Sequence, residues 1–197
     1  MADFAMLAKS FSHRPWLLLV IAGLLVVPPA WAAGMNFPSE KACVSPNCKW
    51  EVRCRSTQQG DGGWLHRLFL GPLGATEPVF IYASGRNCDV LWSKDSRRIA
   101  LTDWSGSNLS EIYIVDVPTH TVQLLEIPGL SHPLSKEELD GHIYWEAMQW
   151  DAADRLQIRV FGHTDEAQGH AFTYFFSVNI ISKEITLLRQ ASEEAAD

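Results

Sequence analysis

Hydrophobic and polar positions divide this chain into one continuous apolar block and a long series of short β-type runs. The block is Trp16 to Val27, and no later segment resembles it. Downstream, Lys49–Thr57, His66–Leu70, Pro78–Tyr82, Asp89–Trp92, Arg98–Asp103, Glu111–Val117 and Thr121–Ile127 are rich in Val, Ile, Phe, Tyr and Trp. After a more polar stretch come Ile143–Trp150, Leu156–Phe161, Phe172–Asn179 and Glu184–Leu188. Gly, Pro, Asn, Asp and Ser separate these runs, which predicts strands joined by turns. Ile112 to Val117 is almost wholly apolar, the pattern of a strand covered on both faces. One short helix is predicted, at Ser135–Asp140 (SKEELD). Six residues support little more than a turn or two.

The strand runs repeat. Val90–Leu125 and Met148–Leu188 share one order: a strand ending in Trp, an acidic turn, an apolar strand, a polar loop, an aromatic strand, a turn and a final strand. Trp92 matches Trp150, Tyr113 matches Tyr174, and Leu124-Leu125 matches Leu187-Leu188. A degraded third copy precedes them, with Glu51–Arg55, Leu65–Leu70 and Val79–Tyr82 as its later strands. A period of roughly fifty to sixty residues, built as a four-stranded meander, is the size of a propeller blade. The expected fold class is therefore all-β, with about three four-stranded antiparallel blade-like sheets, over residues 49 to 190.

Trp92-Ser93-Lys94-Asp95-Ser96-Arg97-Arg98-Ile99-Ala100 resembles the W-S-P-D-G-x-x-I-A signature of TolB-like (WD40-like) β-propeller repeats. Ser110 to Asp116 resembles the third strand of the same repeat. The likeness covers Asp89–Leu125 best, weakens over Met148–Leu188 and fades before Asp89. Lys94 replaces Pro and Ser96 replaces Gly, so the turn chemistry is altered. The resemblance implies a blade fold and, by analogy, protein–protein contact in the periplasm. Propellers host many tasks, so it does not imply an activity. Three blades are also fewer than a closed ring uses. The stack must stay open with covered edges, close by dimerisation, or add its edge to a partner.

The first 32 residues read as a secretory signal peptide. Lys9, His13 and Arg14 precede the apolar block, Pro28-Pro29 break it, and Ala30-Trp31-Ala32 gives a small-x-small cleavage site. Twelve apolar residues fall short of the ~20 of a spanning helix, so no membrane span is expected after cleavage. The expected location is the bacterial periplasm or the outside of the cell. Residues 33 to 48 are an expected Cys-containing segment, and 191 to 197 an acidic tail. The whole chain of 197 residues carries a net charge of −7. Nucleic acid is excluded as a partner, because nothing here would neutralise phosphates.

Cys43, Cys48, Cys54 and Cys88 lie beyond the leader. An even number in an oxidising compartment favours disulfides, here Cys43–Cys48 across a Pro- and Asn-containing loop and Cys54–Cys88 between units. Their spacings lack the paired CxxC of a zinc site.

The remaining chemistry is sparse. His163, Asp165, Glu166 and His170 cluster within eight residues, a metal-like stretch that is equally an ordinary hydrophilic loop. Asp103, Trp104, Ser105, Ser107 and Asn108 occupy the equivalent loop one repeat earlier. They lack the terminal Glu of a calcium loop. They are expected instead to form a recognition surface on a rigid blade. No Gly-x-Ser-x-Gly elbow and no phosphate-binding GK[ST] loop is present. His132, His142 and Glu137-Glu138 lie in the polar connector with nothing to bring them together. Trp50, Trp64, Trp92, Trp104, Trp145 and Trp150 also admit a sugar-binding platform. No cofactor is expected. The expected function is non-catalytic binding or scaffolding in the envelope through blade loops or an open sheet edge, with a protein partner or self-association. A small hydrolase or lyase with a loop-borne His/Asp site is the alternative.

Overall fold

A computed structural model describes residues 42–60, 62–127, 134–165 and 169–191. The leader at 1 to 32, most of the 33 to 48 segment, His132, Glu166 and the residues from 192 on lie outside these. Twelve strands form three four-stranded antiparallel meanders in chain order. The first sheet is β1 (Ala42–Val44), β2 (Trp50–Gln58), β3 (Trp64–Pro72) and β4 (Val79–Ser84). The second is β5 (Cys88–Trp92), β6 (Arg98–Asp103), β7 (Glu111–Asp116) and β8 (Thr121–Leu124). The third is β9 (His142–Ala152), β10 (Arg155–His163), β11 (Ala171–Asn179) and β12 (Ile185–Gln190). The one helix among the described residues, α1 (Lys136–Asp140), is capped by Ser135, whose side chain accepts from the Glu138 N–H while the Glu138 carboxylate accepts from the Ser135 amide.

The second sheet is the filling of the stack, because period-2 alternation gives it two apolar faces. Val90, Trp92, Ile99, Leu101, Val115 and Val117 pack against Val52, Leu68, Leu70 and Ile81 of the first sheet. Leu91, Ala100 and Ile112 pack against Leu156, Ile158, Val160, Phe172 and Phe176 of the third. The matched tryptophans share one task. The Trp92 indole N–H donates to Cys43 O at 3.3 Å, and Trp150 donates to Leu91 O at 3.2 Å. Each indole thus ties the first strand of its sheet to the first strand of the sheet before.

The outer faces of the stack are of a different kind. Arg55 lies over Phe69 at 5.0 Å, Arg159 over Phe161 at 4.3 Å and Arg189 over Phe175 at 3.9 Å. Guanidinium groups cover the aromatic rings of the two terminal sheets, and that of Arg159 is also paired with Glu146. The inner edge of β9 is also occupied: Ile143 N–H donates to Asn108 O, Trp145 N–H to the Ser110 hydroxyl, and Ala147 N–H to the Thr102 hydroxyl.

Two expectations are corrected. Residues 42 to 44 are the first strand of the first sheet, paired with β2 from Ala42↔Arg53 to Val44↔Glu51, and so belong to the blade domain. No disulfide joins the four cysteines. Cys43 points into the core between the first two sheets, whereas Cys48 sits in a left-handed turn (φ 55°) with its side chain in solvent. Backbone bonds from Cys48 N–H to Ser45 O and from Ser45 N–H to Trp50 O already close that loop. Cys54 and Cys88 share the same core without reaching bonding distance, and pack there as small apolar groups. Burial pushes the Cys43 thiol up and Cys88 well above 9.0, which disfavours the thiolate at both.

Candidate functional site

The β2–β3, β4–β5, β6–β7 and β10–β11 loops gather at one end of the stack. A cleft of about 470 Å³ opens there between the first two sheets. Gly63, Trp64, His66, Gly85, Arg86, Asn87, Trp104 and Gly106 line it. A somewhat larger groove, about 580 Å³, lies at the other end between the β7–β8 and β11–β12 turns. Its walls are mostly turn residues and aliphatic side chains, among them Thr119, Thr121, Ile181 and Lys183. The loop-end cleft holds the rarer combination of two indoles, an imidazole and a guanidinium.

Each wall is fixed from behind. The Trp104 indole N–H donates to Asp89 at 2.8 Å, and its backbone N–H donates to Asn87 O at 3.0 Å. Its ring leans on Tyr144 and Phe161 of the third sheet, each at 6.3 Å between centroids. Trp64 stacks nearly parallel to His66, 6.4 Å away. His66 is 3% exposed and its Nδ1 is 2.8 Å from the Ser56 hydroxyl. Burial holds the His66 imidazole below its ordinary 6.5, because charging it there forfeits hydration. Burial raises the Asp89 carboxyl, and the bond from Trp104 opposes that in part. The turn before β5 is closed by Ser84, whose hydroxyl oxygen accepts from the Arg86 N–H at 3.1 Å.

The expected recognition loop is divided by this arrangement. Trp104 is half-buried and forms a wall of the cleft, while Ser105, Ser107 and Asn108 are exposed at its rim. Asp103 is not on the surface. It is 5% exposed and accepts from the Tyr82 hydroxyl at 2.8 Å and the Ser84 hydroxyl at 2.5 Å, bridging β6 to β4. The period-2 count explains this: Asp103 shares the inward face of β6 with Ile99 and Leu101. The far side of the loop is tied to β9, since Tyr144 donates to Ser107 O and Ile143 N–H to Asn108 O.

Sequence reasoning overlooked Trp64, His66 and Arg86 as a group. They lie 18 to 40 residues from Trp104 on different strands and turns, and only the face-to-face stacking of two sheets brings them together. It also left His142 apart from His163. The register His163↔His142 stacks the two rings at 4.4 Å, with Asp165 at 3.6 Å from His142. His170 is placed in the same loop, where its N–H donates to the Thr164 hydroxyl. Among the described residues no group of three or more His, Cys, Asp or Glu is arranged to hold a metal ion. Glu138 is turned inward and accepts from the Tyr174 hydroxyl at 3.0 Å, so it belongs to the core. No helix among the described residues is long and apolar enough to cross a membrane.

No family model matches the chain, and no curated protein matches it. Among solved structures it is similar to TolB from Acinetobacter baumannii, at 16% identity and a TM-score of 0.40. The match covers 79% of this chain and 33% of that one, so the chain spans about a third of that structure's length.

Proposed function

We propose that this chain is an exported, non-catalytic binding protein of the bacterial envelope that takes a protein partner in the loop-end cleft. One observation carries the reading: Trp64 and Trp104 face one cleft and are held there by His66, Asp89, Tyr144 and Phe161. Rigid aromatic side chains on a fixed scaffold bind at low entropic cost, and such residues dominate binding energetics. The leader pattern of residues 1 to 32 supports export.

The test is a photo-crosslinking amino acid placed at Ser105, on the cleft rim, in the native host. A discrete adduct that disappears with Trp104→Ala supports the reading. An adduct pattern unchanged by Trp104→Ala refutes it. A second reading is favoured by the Ser56–His66 contact, which pairs a hydroxyl with a neutral imidazole as a hydrolase would. Ester hydrolysis abolished equally by Ser56→Ala and His66→Gln would establish that reading instead.

A further inference from the structure

We propose that the cleft selects an extended acidic peptide segment, with a carboxylate on Arg86 and a neighbouring apolar or aromatic side chain between Trp64 and Trp104. The inference rests on the binding reading above and adds the chemistry of the partner.

Charge argues for it first. The chain is acidic overall, yet the described residues lining this cleft include a guanidinium and no carboxylate. Among the described residues, the acids behind its walls are committed elsewhere. Asp89 accepts from the Trp104 indole, and both Asp103 oxygens accept from β4 hydroxyls. Arg86 is exposed and has no ion pair among the described residues. Other arginines of the sheets are engaged: Arg53 with Glu51, Arg159 with Glu146, and Arg55 and Arg189 over Phe rings. His66 at the cleft floor is kept uncharged by burial, so Arg86 is the fixed positive charge of the site. A guanidinium offers two parallel donors, the fork that a carboxylate fits.

Shape argues next. Gly63, Gly85 and Gly106 complete the wall between the two indoles. Of these, Gly85 has open space where a Cβ would stand, which admits close approach of another main chain there. Sugar recognition would call for several polar side chains matched to hydroxyls, and Asn87 and Arg86 are the polar side chains exposed here.

The test pans a random peptide library against the full processed protein, its Arg86→Glu variant and its Trp64→Ala/Trp104→Ala variant. Arg86 is exposed, so the charge reversal leaves the fold intact, which thermal unfolding verifies. The wild-type pool is expected to be rich in Asp and Glu beside Phe, Tyr, Trp or Leu, and the Arg86→Glu pool to shift toward Lys and Arg. A peptide from the first pool should bind about tenfold more weakly to Arg86→Gln, the loss of one charge-assisted contact. Wild-type and Arg86→Glu pools of equal charge, both lost in the double Trp variant, would overturn the acidic assignment and leave the binding cleft standing. Enrichment unaffected by the double Trp substitution would remove the cleft reading itself. Tighter binding of an oligogalacturonate than of any selected peptide would assign the site to an anionic sugar and overturn the peptide.

Discussion

Asp103 offers the sharpest test of whether the β6 end is a recognition element or a joint between sheets. Its carboxylate is 5% exposed and accepts two hydroxyl protons from the neighbouring sheet, from Ser84 at 2.5 Å and Tyr82 at 2.8 Å. In Asp103→Ala the two partners fare differently. The Ser84 hydroxyl turns to Arg86 O, already 3.1 Å away, and stays paired. Tyr82 loses a bond to a charged acceptor, worth about 1.5–3 kcal/mol, and the missing carboxylate leaves a small void. The expected destabilisation is about 3 kcal/mol. Asp103→Asn keeps the shape and one acceptor oxygen, and should cost about 1 kcal/mol. Urea unfolding followed by tryptophan fluorescence gives these differences as midpoint shifts at constant slope. A double-mutant cycle with Tyr82→Phe should return a coupling of about 1–2 kcal/mol. With Ser84→Ala the coupling should be smaller, because Ser84 has the second acceptor. A loss below about 0.5 kcal/mol for Asp103→Ala, with no coupling to Tyr82, would refute the bridging role. It would return Asp103 to the surface that its place in the loop sequence suggests.

Further outcomes follow from single contacts. Ser96 holds φ 60° in the β5–β6 turn while its buried hydroxyl accepts from Asn47 N–H at 3.1 Å, so strain and hydrogen bond offset one another. Ser96→Gly should be neutral within about 0.5 kcal/mol, whereas Ser96→Ala keeps the strain, loses the bond and should cost about 1–2 kcal/mol by the same unfolding assay. A Cβ on Gly162 would stand 1.8 Å from His142 O, a backbone atom that cannot yield, so Gly162→Ala should part β9 from β10 and cost about 3 kcal/mol or more. Amide exchange at Tyr144 and Phe161, the neighbouring pair across β9 and β10, would report that parting directly. Because burial lowers the folded-state pKa of His66, the unfolded chain binds the proton first as pH falls. Stability should therefore be level above the ordinary value of 6.5 and fall as pH drops through and below it, a slope that His66→Gln removes in a melting-temperature series.

The sequence alone determined the fold class, because burial on two faces leaves a local record. The Ile112–Val117 run marked a strand covered on both faces, and the recurrence of Trp92 and Trp150 one repeat apart marked equivalent core positions. The SKEELD helix was legible for the same reason: its capping box is four residues long. β1 was not legible, because three residues mixed with cysteine carry no period, and its strand state comes from pairing with β2. The thiols show the limit differently. Loop length made Cys43–Cys48 look easy to close, but the inward face of a strand and a left-handed turn set the two side chains apart. The cleft belongs wholly to the tertiary structure. Trp104 stood out as a loop residue, yet its neighbours Trp64, His66 and Arg86 come from another sheet and the turn that joins the two. Likewise the rings of His142 and His163 meet only through the β9–β10 register. A period within one strand says which side chains turn inward. Which inward or rim residues then face each other is decided by how whole sheets stack, and that depends on the sum of their apolar surfaces rather than on any short stretch of sequence.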